Sequence, residues 1–386
     1  MRLSRSHLTP RTQGMVIAIG AVGVAFAVVA GAGFARGAQR SSELTGGEGG
    51  ASSALHLDSA ACVTTALPTL GGAGGNVVSA SSNGLYVGIA DDAAGVSQPV
   101  LWSEGHVQRL RVDLESAMPS SVIRHGVVVG TGYDRATQKL VGWWWAAGRT
   151  RELPIANGDI AQPAAIDNTG HIVGSLVADE EHADGPGADE DARAAYWSSP
   201  DAMPSELPTL RGDSGAEAFA IAPDGIVGGV SLGSGGSPVW WSRGGQVHRL
   251  EGVAGPYGVV LGFDRLSRPV GQSSVVGGTR AVVWDKGGAP TDLGAELGAQ
   301  SQAVTGAQDA VIGSVSALPS GVPTRVQGIL WSGGTAHLMP PLSDERFNGV
   351  EGVANAVTTS GAALVAVGFS ADSSGLRRPT EWTCSR

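Results

Sequence analysis

The chain has 386 residues, of which 42% are hydrophobic, only 5% are aromatic and 60 are glycine. Its formal net charge is −10 and no basic patch stands out, so we expect no nucleic-acid partner. Abundant glycine and the lack of a sustained helical apolar period favour short strands and tight turns.

The N-terminal 35 residues have the pattern of an export segment. Arg2, Arg5 and Arg11 precede an uncharged apolar run from Thr12 to Ala35. A basic start followed by an apolar run and small residues is typical of a signal peptide. The apolar run is also about 20 residues long, enough for a membrane-spanning anchor helix. Both alternatives place the rest of the chain outside the cytoplasm, either anchored at the cell surface or secreted.

Residues 36–60 are rich in Gly, Ser and Ala and have no apolar periodicity. Such a composition predicts a flexible linker. Residues 61–386 then form one unit, which exceeds a typical single domain but suits a closed repeat fold.

A tryptophan recurs through this unit at intervals of 43 to 52 residues. A period of this length indicates a repeat protein in which each repeat is one supersecondary element. The seven periodic residues are Trp102, Trp145, Trp197, Trp241, Trp284, Trp331 and Trp382.

Alignment on the tryptophans predicts four short strands in each repeat. A turn such as Asn83-Gly84 or Asp224-Gly225, which favours a hairpin, leads into an apolar strand that ends in glycine. The tryptophan lies on the third strand, and a Gly-containing turn opens a fourth. We expect the strand-ending glycine to permit close backbone approach, at Gly88, Gly130, Gly174, Gly228, Gly271, Gly313 and Gly368.

Four-stranded repeats that cannot bury both faces alone must stack around an axis, as propeller blades do. The tryptophan rings would fill the space between adjacent blades. The seventh repeat lacks its fourth strand. Residues 65–70 match residues 205–210, which close the third repeat and open the fourth, so residues 62–67 can supply the missing strand. The sequence therefore predicts an all-β, seven-bladed β-propeller closed by the N-terminal strand and the C-terminal blade. Cys62 and Cys384 would then lie on neighbouring strands and form a disulfide.

The repeat resembles the extracellular HAF repeat over about residues 62–386. The resemblance rests on Leu67-Pro68-Thr69-Leu70-Gly71-Gly72, on the segment from Ala165 to Ser175, and on Val100-Leu101-Trp102. It implies an exported β-propeller-like protein and no particular activity. The chain departs from the His-Ala-Phe motif: four residues before each tryptophan stand Gln98, Val141, Arg193, Ser237, Arg280, Gln327 and Arg378.

An acidic loop lengthens the third repeat. It is either a solvated surface loop or a Ca²⁺ site, since Ca²⁺ takes six to eight oxygen ligands. Its spacing fits no EF-hand. The candidate ligands are Asp179, Glu180, Glu181, Asp184, Asp189, Glu190 and Asp191.

Two further tryptophans are candidates for an exposed aromatic contact with a ligand. Trp144 and Trp240 each precede a periodic tryptophan, so alternation places them on the opposite face of the strand.

Two short motif matches have explanations that require no catalytic or receptor-binding role. The repeat explains the Gly-x-Ser-x-Gly match at Gly229-Val230-Ser231-Leu232-Gly233, and Arg211-Gly212-Asp213 is a chance-prone tripeptide in a loop. The acids Asp167, Asp224, Asp264 and Asp309 stand in turns of successive repeats and are candidates to converge at one rim of the channel. For Asp167 and Asp224, turn chemistry is an alternative explanation.

The leading functional hypothesis is an exported, non-enzymatic binding module for a protein or glycan ligand at the cell surface. The alternative is a secreted hydrolase or lyase with its active site at the channel mouth, and a third hypothesis is a structural envelope component. We expect a monomer with no cofactor, and membrane contact only through an uncleaved N-terminal segment.

Overall fold

The computed structural model describes residues 60–156, 158–178, 192–233, 235–295, 297, 300–307, 309–317, 325–343 and 351–385. These residues form seven four-stranded antiparallel sheets, which confirms the predicted all-β, seven-bladed β-propeller. The described residues include no helix long and apolar enough to cross a bilayer. The predicted export segment and nearly all of the predicted linker lie outside the described residues.

The 28 strands follow one another blade by blade. Blade 1 contains β2 (Gly71–Ala80), β3 (Tyr86–Asp92), β4 (Ser97–Ser103) and β5 (His106–Arg109). Blade 2 contains β6 (Glu115–Val122), β7 (Val128–Asp134), β8 (Lys139–Ala146) and β9 (Arg149–Glu152). Blade 3 contains β10 (Asp159–Ile166), β11 (Ile172–Ala178), β12 (Arg193–Trp197) and β13 (Ser205–Glu206). Blade 4 contains β14 (Gly215–Ile221), β15 (Val227–Leu232), β16 (Ser237–Trp241) and β17 (Val247–Arg249).

The remaining three blades continue the pattern. Blade 5 contains β18 (Gly258–Phe263), β19 (Pro269–Val275), β20 (Gly278–Trp284) and β21 (Pro290–Asp292). Blade 6 contains β22 (Gln300–Ala307), β23 (Ala310–Ala317), β24 (Arg325–Ser332) and β25 (Thr335–Leu338). Blade 7 contains β26 (Gly352–Ser360), β27 (Ala363–Ala371), β28 (Arg377–Cys384) and, at its outer edge, β1 (Cys62–Ala66).

The first strand of each blade contacts the first strands of its neighbours, so these strands surround the axis and the fourth strands form the outer rim. Strand β1 runs antiparallel to β28, with Cys62 opposite Cys384 and Ala66 opposite Thr380. Blade 7 lies beside blade 1, because β2 packs against β26, β27 and β28.

The predicted disulfide between Cys62 and Cys384 is confirmed. It joins residues that are 322 positions apart in the sequence. Cys384 is buried among Trp382, Met339 and Ala60, and Cys62 packs against the same cluster. The bond therefore fixes both ends of the described chain to one edge of blade 7.

All seven periodic tryptophans are buried, with at most 8% of any residue exposed. Each ring lies against the preceding blade, as Trp102 does against Val365 and Val367 of blade 7. Six of the indole nitrogens also donate a hydrogen bond, 2.6–3.0 Å long, to a carbonyl in the segment that leaves the preceding blade. The acceptors for Trp102, Trp197, Trp241, Trp284, Trp331 and Trp382 are Pro68, Pro154, Pro208, Glu251, Leu293 and Pro340, respectively.

Trp145 differs from the other six. Its Nε1 is buried and has no hydrogen-bond partner among the described residues. The carbonyl of Arg111, in the segment that leaves blade 1, accepts instead from the hydroxyl of Thr150 at 3.0 Å. Packing alone thus holds this ring in place.

The repeated glycine does not end the second strand, as the sequence suggested; it lies inside it. In β3, for example, the strand continues from Gly88 to Asp92. Each of these glycines except Gly228 pairs with the residue just before a β-bulge in the first strand, where the register shifts by one residue. A Cβ here would overlap a backbone carbonyl oxygen, such as that of Asn76 opposite Gly88. The glycine is therefore required by the bulge.

The prediction of Gly228 as the blade 4 glycine is wrong. Gly229 pairs with Ala218 just before the bulge, and a Cβ on Gly229 would overlap the carbonyl of Glu217. Gly228 lies after the register shift, and its Cα faces Val260 and Phe263 of blade 5. Because Gly228 and Gly229 are adjacent, either could be aligned with the glycine of the other blades. The tryptophan spacing alone does not locate the extra residue of a bulge, so it does not decide between them.

Candidate functional site

Trp144 faces blade 3 and is half-buried there. It packs against a cluster that includes Leu153 and Trp197, and the Arg151 guanidinium lies 5.4 Å from the centre of its ring. Its neighbours Trp143 and Trp145 pack on the other face, against blade 1. The alternation expected from the sequence is present, and the ring lies between two blades.

Trp240 has the equivalent place between blades 4 and 5. It packs against a cluster that contains Leu250 and Trp284, and it stacks on His248 with ring centroids 4.1 Å apart. The two tryptophans belong to different blades, and each is covered by a side chain of its own outer strand. The structure does not bring them together into one site.

The candidate Ca²⁺ ligands Asp179, Glu180, Glu181, Asp184, Asp189, Glu190 and Asp191 all lie outside the described residues. Among the described residues, no group of three or more His, Cys, Asp or Glu side chains is placed to hold a metal ion.

The serine of the Gly-x-Ser-x-Gly match has a structural role. Ser231 is fully buried, donates to Asp213 Oδ2 at 2.7 Å and accepts from the N–H of Leu210 at 3.0 Å. Asp213 is the acid of the Arg-Gly-Asp tripeptide, so one hydrogen-bonded pair explains both motifs. Ser273 and Ser370 accept in the same way from Val253 and Leu342. These serines anchor the segments that link successive blades.

The side chains of the turn acids accept hydrogen bonds from backbone N–H groups of the turns in which they lie. Asp167 accepts from the backbone N–H groups of Thr169 and His171, and Asp264 from those of Leu266 and Arg268, at 2.8–3.0 Å. Burial favours a higher pKa for Asp167, but hydrogen bonds from the Thr169 hydroxyl and from backbone N–H groups outweigh it and lower the pKa.

The other two turn acids are placed similarly in sequence. Asp224 accepts from Ile226 N–H at 3.4 Å, within the same turn. Asp309 lies in the turn between β22 and β23. Turn stabilisation therefore accounts for the three acids whose hydrogen bonds are described.

A groove of about 500 Å³ lies on blade 7, at the end of the ring where β27 turns into β28. We call it the blade 7 groove. It is lined by residues 66–69 after β1, by residues 342–343 before β26, and by Asp372, Ser373 and Arg378 of the β27–β28 hairpin. Its volume is within the range of about 300–1,000 Å³ that is common for small-ligand sites.

Arg378 holds the inner wall of this groove. Its Nε donates to Asp372 Oδ2 at 2.8 Å, and its Nη1 donates to the carbonyl of Ala73 in blade 1 at 2.5 Å. Among the described residues, the equivalent Arg280 of blade 5 pairs with Asp292 of its own blade, at 2.8 Å, and with no other blade. Arg378 thus connects the hairpin of blade 7 to the first strand of blade 1.

The Asp372 carboxylate is fixed by its own hairpin. Hydrogen bonds from the Ser374 hydroxyl, from backbone N–H groups and from Arg378 lower its pKa to about 2, against a smaller opposing effect of desolvation. The carboxylate is therefore ionised at neutral pH and forms an ion pair with Arg378.

Sequence reasoning missed this groove. Arg378 was noted only as a departure from the His-Ala-Phe motif, and Leu67-Pro68 only as part of the repeat. A usable signal was the Asp372-to-Arg378 hairpin itself, because an Asp followed six residues later by an Arg pairs across a short hairpin.

No protein-family model and no curated protein sequence matches the chain. Among solved structures, the β-propeller domain of the Trilobed protease from Pyrococcus furiosus, described by an open velcro topology, is similar to it with a TM-score of 0.50 and 11% identity, covering 80% of this chain and 93% of that one. This likeness supports the propeller fold alone.

Two other structures are similar at lower TM-scores. The acylaminoacyl peptidase of Pyrococcus horikoshii is similar with a TM-score of 0.47 and 11% identity. The match covers 78% of this chain and about half (51%) of the peptidase. A gluconolactonase from Xanthomonas campestris has a TM-score of 0.44 and 14% identity, over 85% of this chain and 97% of its own.

Proposed function

We propose that the protein is an exported, non-enzymatic binding module that presents a rigid ring to a protein or glycan ligand outside the cytoplasm. The blade 7 groove is the observation that carries this proposal. It is a concave, preformed surface with an aliphatic wall and a few fixed polar groups, which is the usual composition of a binding site.

Export is supported by the disulfide and by the pattern of residues 1–35. Disulfides persist in oxidising compartments outside the cytoplasm. We infer that residues 1–35 direct export, as a cleaved signal peptide or a retained anchor, and that the pairing of β1 with β28 closes the ring. With β1 added to β28, blade 7 has the same four strands as the other blades, and only short outer edges remain.

The proposal is tested by capture with the full chain, purified in its oxidised form. The immobilised protein is exposed to an envelope extract of the producing cells and, separately, to a glycan array. We expect one class of ligand to be retained, with cross-links that map to the propeller. The same protein after reduction, alkylation and unfolding is the control.

If the folded protein retains neither a component of the extract nor a glycan of the array above the level of the unfolded control, the binding-module proposal is wrong. A screen with general ester, peptide and glycoside substrates then tests the alternative of a secreted hydrolase or lyase.

A further inference from the structure

We propose that the blade 7 groove binds an extended, uncharged peptide segment of a partner protein, with an aliphatic or proline side chain against Leu67 and Leu342. A backbone carbonyl of that segment would accept a hydrogen bond from Arg378 Nη2. This inference rests on the proposed binding function and names the ligand class of the same site.

The guanidinium of Arg378 is oriented for this contact. Two of its nitrogens are held by Asp372 and by the carbonyl of Ala73. Among the described residues Nη2 has no hydrogen-bond partner, while 34% of the side chain is exposed and it lines the groove. Because the side chain is already fixed, a ligand carbonyl would bind without the entropic cost of ordering it.

The charge of the groove favours a neutral ligand. Among the described lining residues, Asp372 and Arg378 are the charged ones, and they form an ion pair of 2.8 Å. An anionic ligand that approached Arg378 would also meet the Asp372 carboxylate, which the low pKa of this group keeps ionised at neutral pH. A peptide carbonyl accepts from the guanidinium without adding a net charge.

The walls favour a peptide over a glycan. Leu67, Pro68 and Leu342 are aliphatic, and none of the described lining residues is an aromatic ring on which a sugar face could stack. Their backbone is fixed: Leu67 N–H donates to the Pro379 carbonyl, the Pro68 carbonyl accepts from Trp102, and Leu342 N–H donates to Ser370. The walls therefore form a preorganised slot for an aliphatic side chain.

The experiment is selection from a displayed library of random octapeptides against the full, oxidised protein. We expect enrichment of uncharged sequences with aliphatic residues or proline. A selected peptide should bind equally well with a free or an amidated C-terminus and should lose little affinity between low and moderate salt, because no net charge is neutralised.

Two variants locate the binding site. Ser373→Trp places an indole at the exposed rim of the groove, and Ala93→Trp is its control at the equivalent exposed hairpin position of blade 1. Arg378→Gln removes the guanidinium, and Arg280→Gln is its control in blade 5. We expect each groove variant to weaken binding about tenfold or more, and each control variant to leave it unchanged.

Melting curves identify any variant that fails to fold; Ser373→Trp changes a surface residue and remains informative if Arg378→Gln unfolds. Peptides that bind but are insensitive to Ser373→Trp would overturn the groove proposal and leave the binding-module function standing. Failure to select any peptide, or selection of acidic peptides only, would also overturn it. By contrast, failure to capture any ligand from the envelope extract and from the glycan array would contradict the proposed binding function itself.

Discussion

At the scale of the residue, the seven bulge-facing glycines stand where the backbone of the neighbouring strand leaves no room for a side chain. Gly313, for example, faces the carbonyl of Gln302 so closely that a Cβ would overlap the oxygen. The obstruction is backbone, which cannot move without breaking the pairing of β22 and β23. We therefore regard this glycine as a steric requirement of the blade.

We predict that Gly313→Ala lowers the free energy of unfolding by about 3 kcal/mol or more, the upper range for overpacking. Gly244→Ala is the control, because its φ is not in the left-handed region and the nearest atom to its Cβ would be Ser242 Oγ at 3.8 Å. Urea denaturation of both variants measures the difference. Equal stabilities would show that the strands adjust to the methyl group.

The tryptophan hydrogen bonds provide a second test at this scale. Trp284→Phe keeps most of the packing but leaves the Glu251 carbonyl without its donor, which we expect to cost about 1–3 kcal/mol beyond the loss of ring area. Trp145→Phe is the matched control, since this indole has no partner among the described residues. Denaturant unfolding should show the larger loss for Trp284→Phe, and the opposite order would contradict the role assigned to the hydrogen bond.

At the scale of the element, the β27–β28 hairpin behaves as a small self-contained unit. Asp372 accepts from Ser374, Leu376 and Arg378, all within that hairpin. These contacts lower the pKa of Asp372 below its unfolded value, so they stabilise the folded state above the unfolded pKa. That contribution is lost as the pH falls through the folded value of about 2.

We predict that Ser374→Ala raises the pKa of Asp372 towards its ordinary value, because the Ser374 hydroxyl is the largest cause of the lowering. Carboxyl resonances followed by NMR between pH 5 and about 1.5 would measure this pKa. Ser373→Ala is the control in the same hairpin, and we expect it to leave the titration unchanged. An unchanged pKa in Ser374→Ala would shift the cause to the backbone N–H groups.

The elements also show what the sequence could and could not predict. The tryptophan period and the Gly turns predict the blades, because each reflects local strand and turn chemistry. The bulge opposite Gly229 was missed, since a register shift depends on the partner strand. The groove was missed because residues 66–69, 342–343 and 372–378 meet only in the assembled ring. The missing hydrogen bond of the Trp145 indole was also not predictable. The Arg111 carbonyl accepts from Thr150 instead, and the spacing of the tryptophans does not show this.

At the scale of the whole molecule, side-chain hydrogen bonds join blades 7 and 1. Tyr86 donates to Glu381 at 2.9 Å, Asn355 donates to Asn76 at 2.9 Å and to the Val77 carbonyl at 2.7 Å, and Arg378 donates to the carbonyl of Ala73. Burial and the nearby Glu381 carboxylate raise the pKa of Tyr86. The disulfide lies within blade 7, at its outer edge, where it joins β1 to β28.

We predict that reduction of the disulfide lowers the melting temperature of the propeller. The chain-entropy model gives an upper figure of about 5 kcal/mol for a loop of this length. Scanning calorimetry with and without reductant measures the effect. The Cys62→Ser/Cys384→Ser double variant should melt at the temperature of the reduced protein, and reductant should not change its melting temperature. Two titratable thiols in the unfolded, unreduced protein would contradict the bond itself.

The position of the disulfide at the start of β1 determines how the ring responds to mechanical force. Tension applied to the segment before Ala60 first meets the hydrogen bond from Ala60 N–H to the Leu338 carbonyl, and at Cys62 the covalent bond carries it into Cys384 of β28. The rest of β1, from Val63 to Ala66, lies beyond that bond and is shielded from the load. A pull on a tether at this end would therefore leave the hydrogen bonds of β1, and the segment that follows it, unstretched.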